Sequence, residues 1–320
     1  MWKFKPILKT TIWGGERIIP LKGLEMTLPK VGESWEISGV KGSESVVESG
    51  PDAGLTLSEL IDKYDTELLG ERIYKKYGQQ FPLLVKFINS SQDLSVQVHP
   101  DDDLANELGH PYGKTEMWYV AETGKGARIA NGFARAVHPD EYDSLVESGK
   151  IENVLNYVDI NPGDIYYIPS GRVHAICGEC LIIEIQQTSD LTYRIYDYNR
   201  TDAEGKRREL HTELARKAIN FNDTDTGNLE YKQRKNIPVN VVRSPYFCAN
   251  LLQADCELMR DYSESDTFVI LICIDGEADI TCGNRTLRLT TGNSILVPAS
   301  APGIVINPSQ SVSLIETYIN

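Results

Sequence analysis

The chain lacks several things that would otherwise define it. The longest wholly apolar run in its 320 residues, "FVILICI" at 268–274, is far shorter than the roughly 20 residues that span a bilayer. The N-terminus "MWKFKPILKT" has neither a long apolar core nor a small-residue cleavage site, so no secretory signal is read. Only six cysteines are scattered along it, too sparse for a disulfide scaffold and consistent with a reducing cytoplasm, where the protein is expected to reside. It is also poor in basic charge, with 32 Lys and Arg against 46 Asp and Glu and a net charge of −14. Nucleic acid and anionic membrane are thereby excluded as main partners, because both demand a basic face. A small anionic ligand is not excluded, since a few local cations suffice to hold one.

The segments present are mostly short and rich in Val, Ile, Tyr and Thr, the mark of β structure. Examples are "PLLVKFIN" (82–89), "TEMWYVAE" (115–122), "DIYYIP" (164–169), "CLIIEIQQ" (180–187) and "LTYRIYDY" (191–198). Helical patterns interrupt them at 56–70, where Thr56 and Glu59 form a capping box, and at 138–158 and 212–221. The polar stretch 222–236 reads as a linker. A repeat joins the two sides of that linker. "GDIYYIPSGRVH" (163–174) and "GNSILVPASAPG" (292–303) share Gly, five residues, then Pro, which suggests two copies of one β architecture. In this alignment Gly303 stands where His174 does, so the second copy has lost its imidazole.

The stretch "SVQVHPDDD" (95–103) shows what the first copy has kept. Val96 and Val98 occupy one face of a strand, and Ser95, Gln97 and His99 share the other. A small β-barrel that holds a ligand turns such a polar face inward. Imidazole and carboxylate together are ligands typical of zinc and its neighbours. The candidates are His99, Glu116 and His174, with Gln97 as a weaker oxygen ligand.

These motifs carry a resemblance. "GDIYYIPSGRVH" resembles the second motif of the cupin superfamily. The sequence Gln97-Val-His99-Pro-Asp, then Lys114-Thr-Glu116-Met, then the strand ending in His174 resembles the type I mannose-6-phosphate isomerases in their short bacterial form. "TIWGG", "GESWEIS", "LLVKFI" and "SDLTYRIYDYNR" fit the same family. The resemblance runs through most of residues 1–200. It departs from the usual cupin pattern in having Gln97 before His99 in place of a His-x-His pair, and Gly178 in place of an Asn.

The resemblance implies a mainly β fold of two cupin units with helical insertions in the first. The first unit would cover residues 1–235, and the second, residues 236–320, would lack a metal site. It further implies interconversion of mannose 6-phosphate and fructose 6-phosphate, with one zinc ion per chain held by Gln97, His99, Glu116 and His174. Arg194, Lys114 and Glu184 are the implied catalytic residues, Lys86 and Ser95 the implied substrate contacts. Two rival functions use the same fold, a non-catalytic sugar-binding regulator and another metal-dependent cupin sugar-phosphate isomerase or oxygenase. The simpler reading of His110, His138 and His211 is a surface or core role. Cys177 and Cys180 beside His174 could form a zinc knuckle, but the Gly178-Glu179 hairpin turn favours a structural role. Arg194 has its own rival reading, an ion pair with Asp190 or Asp197.

Overall fold

Apolar residues at alternate positions, with polar ones between them, make strand the commonest element of this chain. A computed structural model describes residues 1–201 and 204–320. The strands before residue 200 are β1 (Ile7–Gly15), β2 (Val31–Val40), β3 (Ser43–Glu44), β4 (Leu83–Ser90), β5 (Val96–Val98), β6 (Glu116–Thr123), β7 (Arg128–Phe133), β8 (Leu155–Asp159), β9 (Ile165–Ile168), β10 (His174–Cys177), β11 (Cys180–Gln187) and β12 (Tyr193–Tyr196). They form two antiparallel sheets, one in the order β3-β2-β1-β4-β11-β6-β9 and one in the order β12-β5-β10-β7-β8. A third sheet holds β13 (Val239–Arg243), β14 (Cys248–Ala254), β15 (Leu258–Asp261), β16 (Val269–Cys282), β17 (Arg285–Thr290), β18 (Ser294–Val297) and β19 (Gly303–Tyr318). The expected mainly β architecture is present, and the described helices all precede residue 219. No helix is long and apolar enough to cross a membrane.

The central strands explain how the site is placed. Along β4, β6 and β11, Leu83, Val85, Phe87, Met117, Leu181, Ile183 and Ile185 point to one side, and the intervening residues point into the space between the first two sheets. The first set packs with the helix at Leu57–Leu69 and with Phe247, Phe268, Ile270, Ile272 and Ile315, in or just before strands of the third sheet, in one apolar cluster. The rings of Phe81 and Phe268 lie 4.6 Å apart there. Burying each such side chain is worth about 1.5–3 kcal/mol, so this cluster holds the central strands rigid. Their inward residues are then free to be polar.

Helix α2 (Leu57–Leu69) begins at the expected capping box, with Glu59 N donating to Thr56 Oγ1 and Thr56 N to Glu59 Oε2. "DDD" opens the short helix Asp102–Glu107, capped by Asp101. The expected helix at 138–158 is corrected. Helix stops at Glu147, a 3-10 turn follows at Ile151–Val154, and "LNYVD" is strand β8, paired with β7. Gly149, at φ +66°, ends the helical path, and the aromatic and β-branched Tyr157 and Val158 suit the sheet beyond it.

Candidate metal centre and pocket

The polar face of "SVQVH" turns inward. Val96 and Val98 lie in an apolar cluster outside the second sheet, while Gln97, between them, pairs in register with His174 of β10 and Arg194 of β12. From the opposite sheet β6 contributes Glu116 and Trp118, β4 contributes Lys86, and β11 contributes Glu184, which is paired with both Lys86 and Trp118.

His99, Glu116 and His174 converge. One donor atom from each lies within 4.8 Å of the other two, and all three residues are buried. His99 Nδ1 donates to the Leu191 carbonyl at 2.8 Å and His174 Nδ1 to that of Arg172 at 2.9 Å. Those bonds set the tautomer, so both Nε2 lone pairs point to Glu116, at 3.4 and 3.5 Å. A backbone acceptor behind each imidazole is the usual outer support of a metal-ligating histidine. Burial pushes the His174 imidazolium down to about 3, and burial followed by Lys114 holds His99 well below its usual 6.5. Both rings are thus neutral at pH 7, the form that ligates. Glu116 is raised to about 7 by burial and by Glu184, against the pull of Lys114. Its Oε1 is buried without a hydrogen-bond partner. Two neutral imidazoles and a carboxylate with an unsatisfied oxygen fit a divalent cation.

Gln97 stands beside this triad, its Nε2 3.3 Å from His174 Nε2. Lys114 donates to Glu116 and lies 3.0 Å from His99 Nε2. Glu184 accepts from Trp118 Nε1 at 2.8 Å and sits 3.1 Å from Lys86 Nζ and 3.8 Å from Lys114 Nζ. Burial pushes the Glu184 carboxyl up, but Lys114 and Lys86 outweigh it and bring it down to about 2. Lys86, although buried, is raised by Glu184 and Glu33. Ser95, Lys86, Lys114, Glu184, Gln97 and Arg194 all line one cavity of about 120 Å³. Arg194 forms no ion pair among the described residues. Its Nη1 donates to the Glu209 carbonyl at 2.8 Å, and Asp197 is engaged by Arg200 and Arg208 instead.

The other histidines lie elsewhere. His138 caps the helix Pro139–Glu147, His211 accepts from the Arg194 amide, and His110 lines a separate groove. Cys177 and Cys180 enter two different apolar clusters, so the two thiols do not converge with His174. Trp118, Glu33 and Arg208 also line the cavity and were not anticipated. Trp118 was within reach, since it lies two residues after Glu116 on the same strand face. Nothing local marks Arg208.

The third sheet repeats this arrangement with other residues. Glu316 on β19 lies opposite Asn250 and Leu271, as Glu184 lies opposite Lys86 and Trp118. Val269, opposite Tyr318, matches Glu116, opposite Gln186. Ile304 and Ile306 point into the interior, so it is Ile304, opposite Arg260, that takes the place of His174 opposite Gln97. This corrects by one residue the expected equivalence of Gly303 with His174. The loop before β19 is one residue longer, and a one-residue slip exchanges the faces of a strand. At the triad's positions the second interior therefore presents Tyr262, Val269 and Ile304.

Two β units of this topology, one with a buried His-Glu-His set at its centre, define a metal-binding cupin-type protein. Comparison with known proteins makes the assignment finer. Residues 1–130 match the family model for the phosphomannose isomerase type I catalytic domain, and residues 241–317 that for the mannose-6-phosphate isomerase cupin domain. The chain is 36% identical to mannose-6-phosphate isomerase ManA of Bacillus subtilis over 92% of each chain. It is 32% identical to the mannose-6-phosphate isomerase of Streptococcus mutans over 90% of this chain and 89% of that one. The crystal structure of a mannose 6-phosphate isomerase from Bacillus subtilis superposes with a TM-score of 0.89 at 33% identity, covering 99% of both chains. Structures of phosphomannose isomerase from Salmonella typhimurium share the fold, with a TM-score of 0.79 at 16% identity over 100% of this chain and 99% of that one. The chain belongs to the type I mannose-6-phosphate isomerase family, whose members are metal-dependent isomerases.

Proposed function

We propose that this chain interconverts mannose 6-phosphate and fructose 6-phosphate with one zinc ion bound by His99, Glu116 and His174, and with Gln97 as a further oxygen ligand. The observation that carries the reading is the buried convergence of those three donors directly behind Gln97 and Lys114, which line a small cavity with Lys86, Glu184 and Arg194. A zinc ion held there supplies Lewis acidity, polarising the sugar's carbonyl and hydroxyl oxygens.

The remaining work falls to side chains. Aldose–ketose isomerisation moves a proton between C2 and C1 through an enediolate. The base that takes it works best with a pKa near the working pH. A Glu184 carboxylate held near 2 by two ammonium groups is a weak base. Lys114 Nζ and the Glu184 carboxylate lie 3.8 Å apart on the cavity, and the proton is handled by this pair. Arg194, on the cavity wall, holds the negative charge of the sugar phosphate and of the enediolate as it forms, and Lys86 and Ser95 contact the substrate. We also infer two units dividing near residue 235, with the metal in the first alone. Six free cysteines fit a reducing cytoplasm.

The test is a coupled assay with mannose 6-phosphate before and after chelation. Turnover that disappears on chelation and returns with zinc is the expected result, and absence of turnover in the metal-loaded protein favours a binding module. Arg194→Ala then separates catalysis from grip. If the arginine acts on the transition state, kcat falls about 100-fold or more with metal retained, as for loss of a preorganised donor. Wild-type turnover at saturating substrate would leave Arg194 a binding residue only.

A further inference from the structure

The pocket has a second arginine whose place in the fold needs a reason. Arg208 lies in a loop with no strand or helix of its own, yet its side chain reaches the cavity that holds Lys86, Gln97 and Arg194. Two of its nitrogens are taken. Nε donates to Asp197 Oδ2 at 2.8 Å and Nη2 to Asp197 Oδ1, a two-point grip that fixes the guanidinium plane. Asp197 is itself buried, 5% exposed, and its Oδ1 also accepts from Arg200 Nη2. The third nitrogen of Arg208, Nη1, has no hydrogen-bond partner among the described residues. Arg194 is the complement. Its Nη1 is tied to the Glu209 carbonyl, while its Nε is buried and unpartnered.

Two guanidinium groups on one cavity repel each other, and burial followed by Arg208 does weaken the hold of Arg194 on its proton. A fold keeps such a pair close where an anion is to be received between them. The charge around the cavity agrees. Lys86, Lys114, Arg194 and Arg208 face it against the carboxylates of Glu33 and Glu184, a local excess of positive charge in a chain of net −14. Lys86 and Lys114 are committed to Glu184 and Glu116 beside the triad, which leaves the two arginines for a charged group at the far end of the ligand. The strand order sets the spacing. Arg194 is on β12, two strands from His174 on β10, or about 10 Å across the sheet.

We propose that Arg208, aimed by Asp197, binds the phosphate of the sugar phosphate together with Arg194 and so selects phosphorylated over free sugars. This rests on the isomerase reading for the sugar, but not for the anion. Asp197 is a positioning residue, and among the described residues its carboxylate accepts from Arg200 and Arg208.

The test uses the metal-loaded protein, with Arg208→Ala, Arg208→Lys and Asp197→Asn beside the wild type. Inorganic phosphate is titrated calorimetrically, and KM and kcat are measured with mannose 6-phosphate. Loss of one charge-assisted contact weakens binding about 10- to 100-fold. Arg208→Ala is expected to weaken phosphate binding and raise KM by that factor, with kcat changing much less and the metal retained. Arg208→Lys should recover only part, because an ammonium lacks the planar fork. Asp197→Asn should fall between, with a shallower dependence of KM on salt than wild type if the arginine swings away from the cavity. Wild-type phosphate affinity and KM in Arg208→Ala would overturn the proposal, as would a wild-type protein that binds no phosphate. If Arg208→Ala fails to fold, an Arg208→Lys protein with unchanged KM and phosphate affinity overturns it equally. A wild-type protein that binds phosphate but does not turn over mannose 6-phosphate removes the isomerase reading alone, and the calorimetric comparison still decides the role of Arg208.

Discussion

The two β units solve the problem of a buried carboxylate in opposite ways. In the second, Glu316 is fully buried and saturated. Arg260 donates to both its oxygens at 2.9 Å, Tyr262 Oη donates at 2.5 Å and Asn250 Nδ2 at 2.7 Å. Around it Val269, Leu271, Ile304 and Ile306 fill the interior. In the first unit Glu116 is equally buried, but its Oε1 has no hydrogen-bond partner and two imidazole lone pairs face it. A saturated network rigidifies a core, whereas an unsatisfied one carries a cost that only a ligand offsets. The same topology thus serves as a scaffold in one unit and as a reaction vessel in the other. The difference lies in which inward positions keep a lone pair open.

Substitutions at those inward positions should break the contrast most strongly. His174→Ala or His99→Ala is expected to abolish turnover and lower metal affinity by more than the roughly 10- to 100-fold seen for outer-sphere supports. Elemental analysis should find about one metal per chain in the wild type and little in either variant. Tyr262→Phe, at the matching place in the second unit, should leave the metal content unchanged. Full metal occupancy in both histidine variants would dismiss the ligand assignment.

A smaller effect, on stability alone, is expected in the second unit. Arg260→Ala strands the Glu316 carboxylate in an apolar interior, at a cost of about 3–5 kcal/mol. Denaturant unfolding should show the loss while folded protein keeps its metal. An unfolding free energy within about 1 kcal/mol of wild type would mean that water replaces the guanidinium and that the network is weaker than its geometry.

Acid should separate the units further. His174 titrates near 3 when folded and near 6.5 when unfolded, with His99 shifted the same way. The unfolded chain therefore takes up these protons first. Stability from the neutral rings is complete above about pH 6.5 and is lost as pH falls toward 3, by up to about 1.4 kcal/mol per pH unit for each ring. The second unit contains no histidine. Hydrogen exchange of the chelated protein between pH 7 and 4 should accordingly show β5 and β10 opening before β16 and β19. His174→Gln should flatten that dependence, and simultaneous opening would contradict it.

The smallest effect concerns an insertion found only in the first unit. Thr56→Ala removes the cap of α2 and should cost about 1 kcal/mol, read as a shift in the thermal midpoint without change in metal binding.

Much of the metal centre was legible because strands alternate. Ser95, Gln97 and His99 had to share a face once Val96 and Val98 were given to the core, and the Gly-to-Pro spacing marked the strand that ends in His174. The same rule could have added Trp118, two residues from Glu116. It failed where one residue changes the outcome, as at Gly303, because the length of a loop is not visible in the pattern of a strand. It also failed at 155–159, where "LNYVD" continues an apparent helical period but finds its hydrogen bonds in β7.

By itself the sequence determined the β-rich class, the repeat and the residues able to ligate a metal, since these follow from local periodicity and side-chain chemistry. Only the tertiary structure decided that Leu191 and Arg172 carbonyls orient the two imidazoles, that Asp197 takes Arg208 rather than Arg194, and that Glu316 is closed while Glu116 stays open. Those outcomes depend on which strands become neighbours and on the register between them. Contacts made across tens of residues leave no local trace in the chain that makes them.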